Sequence, residues 1–178
     1  MDKLPNFWKW LFQRDGTHKS GIIALADRWL ILHMIIGILA AIFLGQCFVD
    51  AAKNVIIPFA SVLTGITFAW SGNITALLTT RELGELTRFH KDGIKGYVFT
   101  VQRSIFIVFV ALISWVFVGL DIISNAFWRF IVFTISSAAI RESWGVIMFA
   151  QMLTIYREKV ADASMNSVTY QKDITIDK

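Results

Sequence analysis

Long apolar stretches separated by short polar links dominate this chain. Four of them have about the 20 apolar residues that a helix needs to cross a hydrocarbon core roughly 30 Å thick. They predict membrane-spanning helices at Trp29–Val49, at about Val55–Thr79, at about Ser104–Ile123 and from near Ala126 onward. We therefore predict an all-α, polytopic membrane protein with four transmembrane helices. Its predicted parts are an N-terminal segment (1–28), a four-helix transmembrane domain (29–156) and a polar tail (157–178).

The positive charges alternate with these spans. The 17 Lys and Arg residues divide into blocks of five, one, five, one and five, and the two single charges are Lys53 and Arg129. Positively charged loops stay in the cytoplasm, because moving them across opposes the membrane potential and the insertion machinery. The pattern predicts a protein of the cell inner (plasma) membrane with both termini in the cytoplasm. The net charge of +4 follows this topology, so we expect a lipid membrane and no nucleic acid as a partner.

Aromatic residues crowd the start of the chain. Five apolar residues surround a single lysine there: Phe7, Trp8, Trp10, Leu11 and Phe12. This mixture suits a helix that lies along the membrane surface, so we predict an N-terminal interfacial helix. Leucines also keep helical spacing through Arg81–Lys91, which predicts a cytoplasmic continuation of the second span.

The second predicted span carries a stripe of small and hydroxyl-bearing residues, bordered by Asn73. Its members recur at three- and four-residue steps and so share one helix face: Ser61, Thr64, Gly65, Phe68, Gly72, Thr75 and Thr79. Such a face must meet protein or water, because hydrocarbon offers its polar groups no partner. Two readings stay open. The face packs closely on another helix, for which the first span offers Gly37, Ala41 and Gly45, or it lines an aqueous pore between several copies.

The fourth span contains an ionisable pair, Arg141-Glu142, in an otherwise apolar run. One reading places the pair inside the membrane, facing protein or a water-filled cavity. The other ends the membrane near Arg141, whose side chain then reaches the interface. Adjacent helical residues point about 100° apart, so the two do not pair simply with each other. Arg103 and Arg81 are the candidate partners of Glu142.

Patterns of catalytic or metal-binding residues do not occur in this sequence. It has no nucleophile–base motif, no Gly-rich phosphate loop and no paired acidic constellation. Cys47 is the single cysteine, and the three histidines are scattered over separate segments. We therefore expect that the protein is not an enzyme and has no cofactor and no metal site.

Several short motifs in the first half of the chain resemble bestrophins. They comprise the aromatic segment before Gly16-Thr17 and, in the second span, Pro58-Phe59, Gly65-Ile66, Asn73 and the following Arg81-Glu82. The resemblance covers about residues 7–90, and the long cytosolic helical region and acidic calcium clasp of that family are missing. It implies a pentameric, anion-permeable channel whose second transmembrane helix lines the pore. Counted from Pro58, the implied pore positions are Thr64, Phe68 and Gly72; counted from Asn73, they are Leu63, Thr67 and Ser71.

The function expected from these observations is an oligomeric inner-membrane channel, anion-permeable and built from four or five copies. Its expected pore-lining residues are Ser61, Thr64, Phe68, Gly72 and Thr75, and its expected intramembrane polar residues are Asn73, Arg103, Arg141 and Glu142. The alternative is a non-conducting membrane scaffold of a multi-protein system, for example in phage defence, that recruits a soluble cytoplasmic protein.

Overall fold

The computed structural model describes residues 7–12, 21–26, 28–44, 47–80, 94–123 and 125–176. Within these ranges the chain is all-α, as predicted, and folds into five helices and one 3₁₀ turn, Gly21–Leu25. The helices are α1 (Phe7–Phe12), α2 (Arg28–Phe43), α3 (Phe48–Leu78), α4 (Ile94–Gly119) and α5 (Ala126–Ile176). The predicted cytoplasmic continuation at Arg81–Lys91 lies outside the described residues.

Three of these helices are long and apolar enough to cross a membrane. They are α3 with 31 residues, α4 over Lys95–Gly119 with 25, and the first 38 residues of α5. The other apolar helix, α2, has 16 residues and so measures about 24 Å. The predicted end of the first span at Val49 is wrong, because Phe48 already begins α3 and its ring is buried against Trp115 and Phe133.

The start of α3 also differs from the sequence prediction, which placed it near Val55. Helix α3 begins at Phe48 and includes a π-helical segment, Ala52–Ile56. Lys53 and Asn54 suggested a polar link between spans, but both side chains are exposed on the helix surface. An exposed polar pair does not interrupt a helix, because its backbone groups stay hydrogen-bonded along the helix.

The last two helices are longer than the apolar runs from which they were predicted. Helix α4 starts at Ile94, ten residues before the predicted Ser104, because Val101, Tyr97 and Val98 pack in the bundle. Helix α5 has 51 residues and continues to Ile176, so most of the predicted polar tail is helical.

Helices α3, α4 and α5 pack along their lengths through three groups of buried residues. One end is filled by Phe48, Ala52, Trp115, Val118, Val132 and Phe133. The middle contains Ile107, Val108, Ala111 and Ala139. The other end is filled by Ile74, Leu77, Leu78, Val101, Val146, Ala150 and Leu153.

Helix α2 packs mainly against α5, and glycine permits the close approach. A Cβ atom on Gly37 would collide with the Thr134 hydroxyl and lie 3.1 Å from the Phe130 carbonyl oxygen. His33, one turn away, is hydrogen-bonded through Nδ1 to the Ser137 hydroxyl at 2.8 Å. These contacts set α2 antiparallel to the first half of α5.

The short helix α1 packs on α4. Leu11 is fully buried, and the Phe7 and Trp10 rings lie 5.9 and 5.6 Å from the ring of Phe99. The following 3₁₀ turn begins at Gly21, whose φ of +58° suits glycine and whose missing Cβ leaves room for the Leu11 carbonyl. The predicted N-terminal helix is thus present, as a six-residue element.

Candidate functional site

The polar stripe of α3 faces away from the other described helices. We call it the open face and define it by Ser61, Thr64, Gly65, Phe68, Gly72, Thr75 and Thr79. Thr64 is half-buried, and the other members are exposed. The Phe68 side chain is 52% exposed, although it is the largest apolar member. Asn73 is exposed beside this face.

The glycines of the open face have no packing partner among the described residues of the same chain. A Cβ atom added to Gly65 or Gly72 would meet nothing within 4 Å. Gly37, by contrast, packs tightly on Thr134 of α5. Among the described residues of one chain, α3 therefore does not pack its stripe on the small residues of the first span, of which Gly45 lies outside the described ranges. Hence the open face is available to lipid, water or another molecule.

The hydroxyl groups of the open face donate to the backbone of their own helix. Ser61 Oγ donates to the Ile57 carbonyl at 2.8 Å, and Thr64 Oγ1 donates to the Ala60 carbonyl at 2.7 Å. Thr75 Oγ1 donates in the same way to the Ser71 carbonyl at 3.0 Å. Each proton is satisfied, while the oxygen keeps acceptor capacity. The face therefore presents oxygen atoms and bare backbone rather than free donors.

The pore positions that the bestrophin resemblance implies when counted from Asn73 are Leu63, Thr67 and Ser71, and they point into the subunit. Thr67 and Ser71 are buried. Leu63 lines an apolar cavity of about 220 Å³ between α3, α4 and α5, together with Phe59, Val108 and Ala139. Of the two registers, only Thr64, Phe68 and Gly72 lie on the open face.

A buried polar node joins three helices near the middle of the bundle. We define it by Thr67 of α3, Arg103 and Ser104 of α4, and Glu142 and Ser143 of α5. The Glu142 carboxylate is 7% exposed; it accepts from the Ser104 hydroxyl at 2.6 Å and pairs with Arg103 Nη2 at 3.1 Å. Of the two predicted partners of Glu142, Arg103 makes the pair, and Arg81 lies outside the described residues.

The node also reaches α3 and the N-terminal segment. Thr67 Oγ1 lies 3.0 Å from Ser143 Oγ, a hydrogen bond between two buried hydroxyl groups. Arg103 Nη1 donates to the Gly21 carbonyl at 3.4 Å. Because Gly21 packs on Leu11, the charged pair connects α5 with the segment that carries α1.

Arg141 lies beside the node but does not join it. Its guanidinium carbon is 5.1 Å from the centre of the Trp29 ring, at the start of α2. Arg141 and Glu142 thus contact different helices, as their adjacent positions on α5 predicted. Guanidinium groups are attracted to the face of an indole ring, which explains the contact.

Sequence reasoning missed the hydroxyl partners of the node. Ser104 and Ser143 occur in apolar runs and have no distinctive spacing; their neighbours on α5 and α3 are visible only once the helices are packed. Among the residues that the structure describes, no group of three or more His, Cys, Asp or Glu side chains could hold a metal ion. Comparisons of the chain with protein-family models, with curated proteins and with solved structures find no match.

Proposed function

We propose that this protein is one subunit of a homo-oligomeric inner-membrane channel whose pore is lined by the open face of α3. The observation that carries the proposal is the exposure of that face. It combines hydroxyl oxygens, two glycines and one large ring, and no other described helix covers it. Copies arranged around a closed symmetry axis would turn these faces toward one another and shield them from lipid.

The proposed topology has four spans, with α2 as the first. Apolar residues around most of α2 are exposed, as expected for a helix in lipid: Ile31, Met34, Ile35, Ile38, Leu39 and Ile42. Its length of about 24 Å is short for an average bilayer, and modest local thinning of the membrane accommodates such a difference. Four spans return the chain to its starting side, and the Lys and Arg blocks assign that side to the cytoplasm.

The charged residues support one level for the cytoplasmic edge of the hydrocarbon. Helix α2 begins at Arg28, and Trp29 contacts Arg141. The far ends of the four helices are Phe43 of α2, Phe48 of α3, Gly119 of α4 and Ala126 of α5. Measured along each helix, the distance from its far end to the level of the buried polar node is about 24 to 29 Å. We therefore place the membrane edge at the node, with Phe68 near that level and Gly72 and Thr75 in a cytoplasmic vestibule.

Within this channel, Phe68 forms the narrowest apolar ring. Apolar constrictions gate by excluding water, whereas hydroxyl oxygens and exposed backbone tolerate it. Anion permeability is assigned to positive charge at the cytoplasmic mouth, such as that of the exposed Lys95, because the wall hydroxyls donate to their own helix and leave no free donors for an anion. Cationic groups at a pore entrance raise the local concentration of anions.

The proposal is tested by ion flux in liposomes together with the mass of the detergent-solubilised particle. Wild type should carry current that reverses near the chloride potential, and its mass should be four or five times 20.2 kDa. Phe68→Ala should raise flux without changing that mass, and Thr75→Leu should lower flux. Absence of current under every gradient, with loss of mass in Phe68→Ala, would mean that the open face is only a packing surface.

A second candidate function, the non-conducting scaffold, is favoured by a different observation. Helix α5 has 51 residues, about 75 Å, which is more than twice the hydrocarbon thickness. Along its middle, α5 carries a shallow, exposed groove of about 310 Å³ whose lining residues all belong to α5 itself: Met148, Gln151, Met152, Ile155, Tyr156 and Lys159. Methionine-rich surfaces adapt to varied protein partners. A scaffold would co-purify with a soluble protein through this groove and would carry no current.

A further inference from the structure

Arg141 has an unusual environment for a charged residue in an apolar bundle. Within the described part of the chain it makes no ion pair, because the neighbouring Glu142 is occupied by Arg103 and Ser104. Its contact with Trp29 satisfies the charge through the ring face and uses none of the five N–H donors. Arg141 is half-buried as a residue, and within the described ranges its guanidinium makes no hydrogen bond.

The groups around Arg141 are those found where proteins meet lipid headgroups. Trp29 is 48% exposed, and Trp144, three residues beyond Arg141 on α5, is 64% exposed. Residues three apart on a helix share a face, so Trp144 and Arg141 project to the same side. Arg28, exposed and adjacent to Trp29, adds a second positive charge at the start of α2. Tryptophan rings prefer the membrane interface.

We propose that this corner between α2 and α5, formed by Trp29, Arg141 and Trp144, binds the phosphate of an anionic phospholipid. The inference rests on the membrane edge proposed above, but not on conduction. Charge complementarity selects the occupant: the Arg141 guanidinium, which no described carboxylate neutralises, matches an anionic headgroup, and basic pockets between membrane helices bind such headgroups. Arg141 would donate to phosphate oxygens while its plane stays on Trp29, which a guanidinium can do and an ammonium cannot.

The test measures the thermal unfolding midpoint of the purified protein in detergent with three additives. Phosphatidylglycerol should raise the midpoint, whereas phosphatidylcholine and inorganic phosphate should not. Arg141→Gln should lose most of the rise caused by phosphatidylglycerol. Lys53→Gln, which removes an exposed positive charge at the opposite end of the bundle, should keep it.

Three results would overturn the proposal: an unchanged rise in Arg141→Gln, an equal rise with phosphatidylcholine, or an equal rise with free phosphate. The last result would identify a general anion site instead of a lipid site. If Arg141→Gln does not fold, Arg141→Lys carries the same test, because lysine keeps the charge but lacks the planar fork, so the rise caused by phosphatidylglycerol should shrink. The thermal midpoint can be measured without any current. A protein that carries no current but is still stabilised by phosphatidylglycerol would therefore contradict the channel proposal and support the lipid site.

Discussion

Removal of the Glu142 carboxylate should destabilise the bundle more than removal of any exposed charge. Glu142→Ala leaves Arg103, whose side chain is 13% exposed, without its counter-charge, and breaking a buried pair costs up to about 3–5 kcal/mol. It also removes the acceptor of the 2.6 Å hydrogen bond from Ser104. Ser104→Ala removes only that bond, and hydrogen bonds to charged groups contribute about 1.5–3 kcal/mol. We therefore expect Glu142→Ala to lower the free energy of unfolding more than Ser104→Ala does.

A double variant separates the charge pair from simple loss of packing. Arg103→Met combined with Glu142→Met removes both charges and keeps most of the side-chain volume. Replacement of a buried pair by apolar residues is often neutral. The double variant should therefore be more stable than Glu142→Ala, and the two single Met substitutions should sum to a larger loss than the pair.

The assay is unfolding in mixed detergent micelles, followed by circular dichroism, with the exposed Glu158→Ala as the matched control. Exposed substitutions of this kind change stability by about 0.5 kcal/mol or less. If Glu142→Ala and Glu158→Ala unfold together, the buried polar node does not stabilise the bundle, and the reasoning above is refuted.

Two further predictions test the topology and the packing. Single cysteines at Lys53 and Asn125 should react with an impermeant thiol reagent from outside cells, and one at Lys95 should not; reversed labelling would end the four-span proposal. Gly37→Leu should destabilise the protein by at least about 1–3 kcal/mol, because the new side chain enters the contact with α5. Gly65→Leu should leave the subunit fold intact, since that position faces open space, and equal losses in the two glycine variants would contradict the packing described.

The parts of the fold that follow from the sequence are those governed by apolar run length and helical period. The runs predicted long apolar helices where α3, α4 and α5 occur, and the period placed Ser61, Phe68 and Thr75 on one face. Both properties are local and survive packing. The Arg103–Glu142 pair could also be predicted from the sequence, because a buried carboxylate needs a cationic partner and few cationic residues were candidates.

Helix ends and contacts between helices were less predictable. Lys53 suggested a link because its charge lowers local hydropathy, although an exposed lysine is compatible with a helix. Gly37 matched the spacing of the α3 stripe but contacts Thr134 of α5 instead. Spacing identifies which residues share a face; only tertiary packing decides which helix that face meets. The Thr67–Ser143 hydrogen bond was missed for the same reason.

The most direct test of the central claim is thiol modification of Phe68→Cys during ion flux, in a background that carries Cys47→Ser. A charged thiol reagent should reach this cysteine from the aqueous phase and reduce chloride flux strongly. Thr67→Cys, buried against α5, and Ile66→Cys, exposed on the side of α3 away from the stripe, should be unaffected. Unchanged flux after complete modification of Phe68→Cys would contradict a pore lined by the open face of α3.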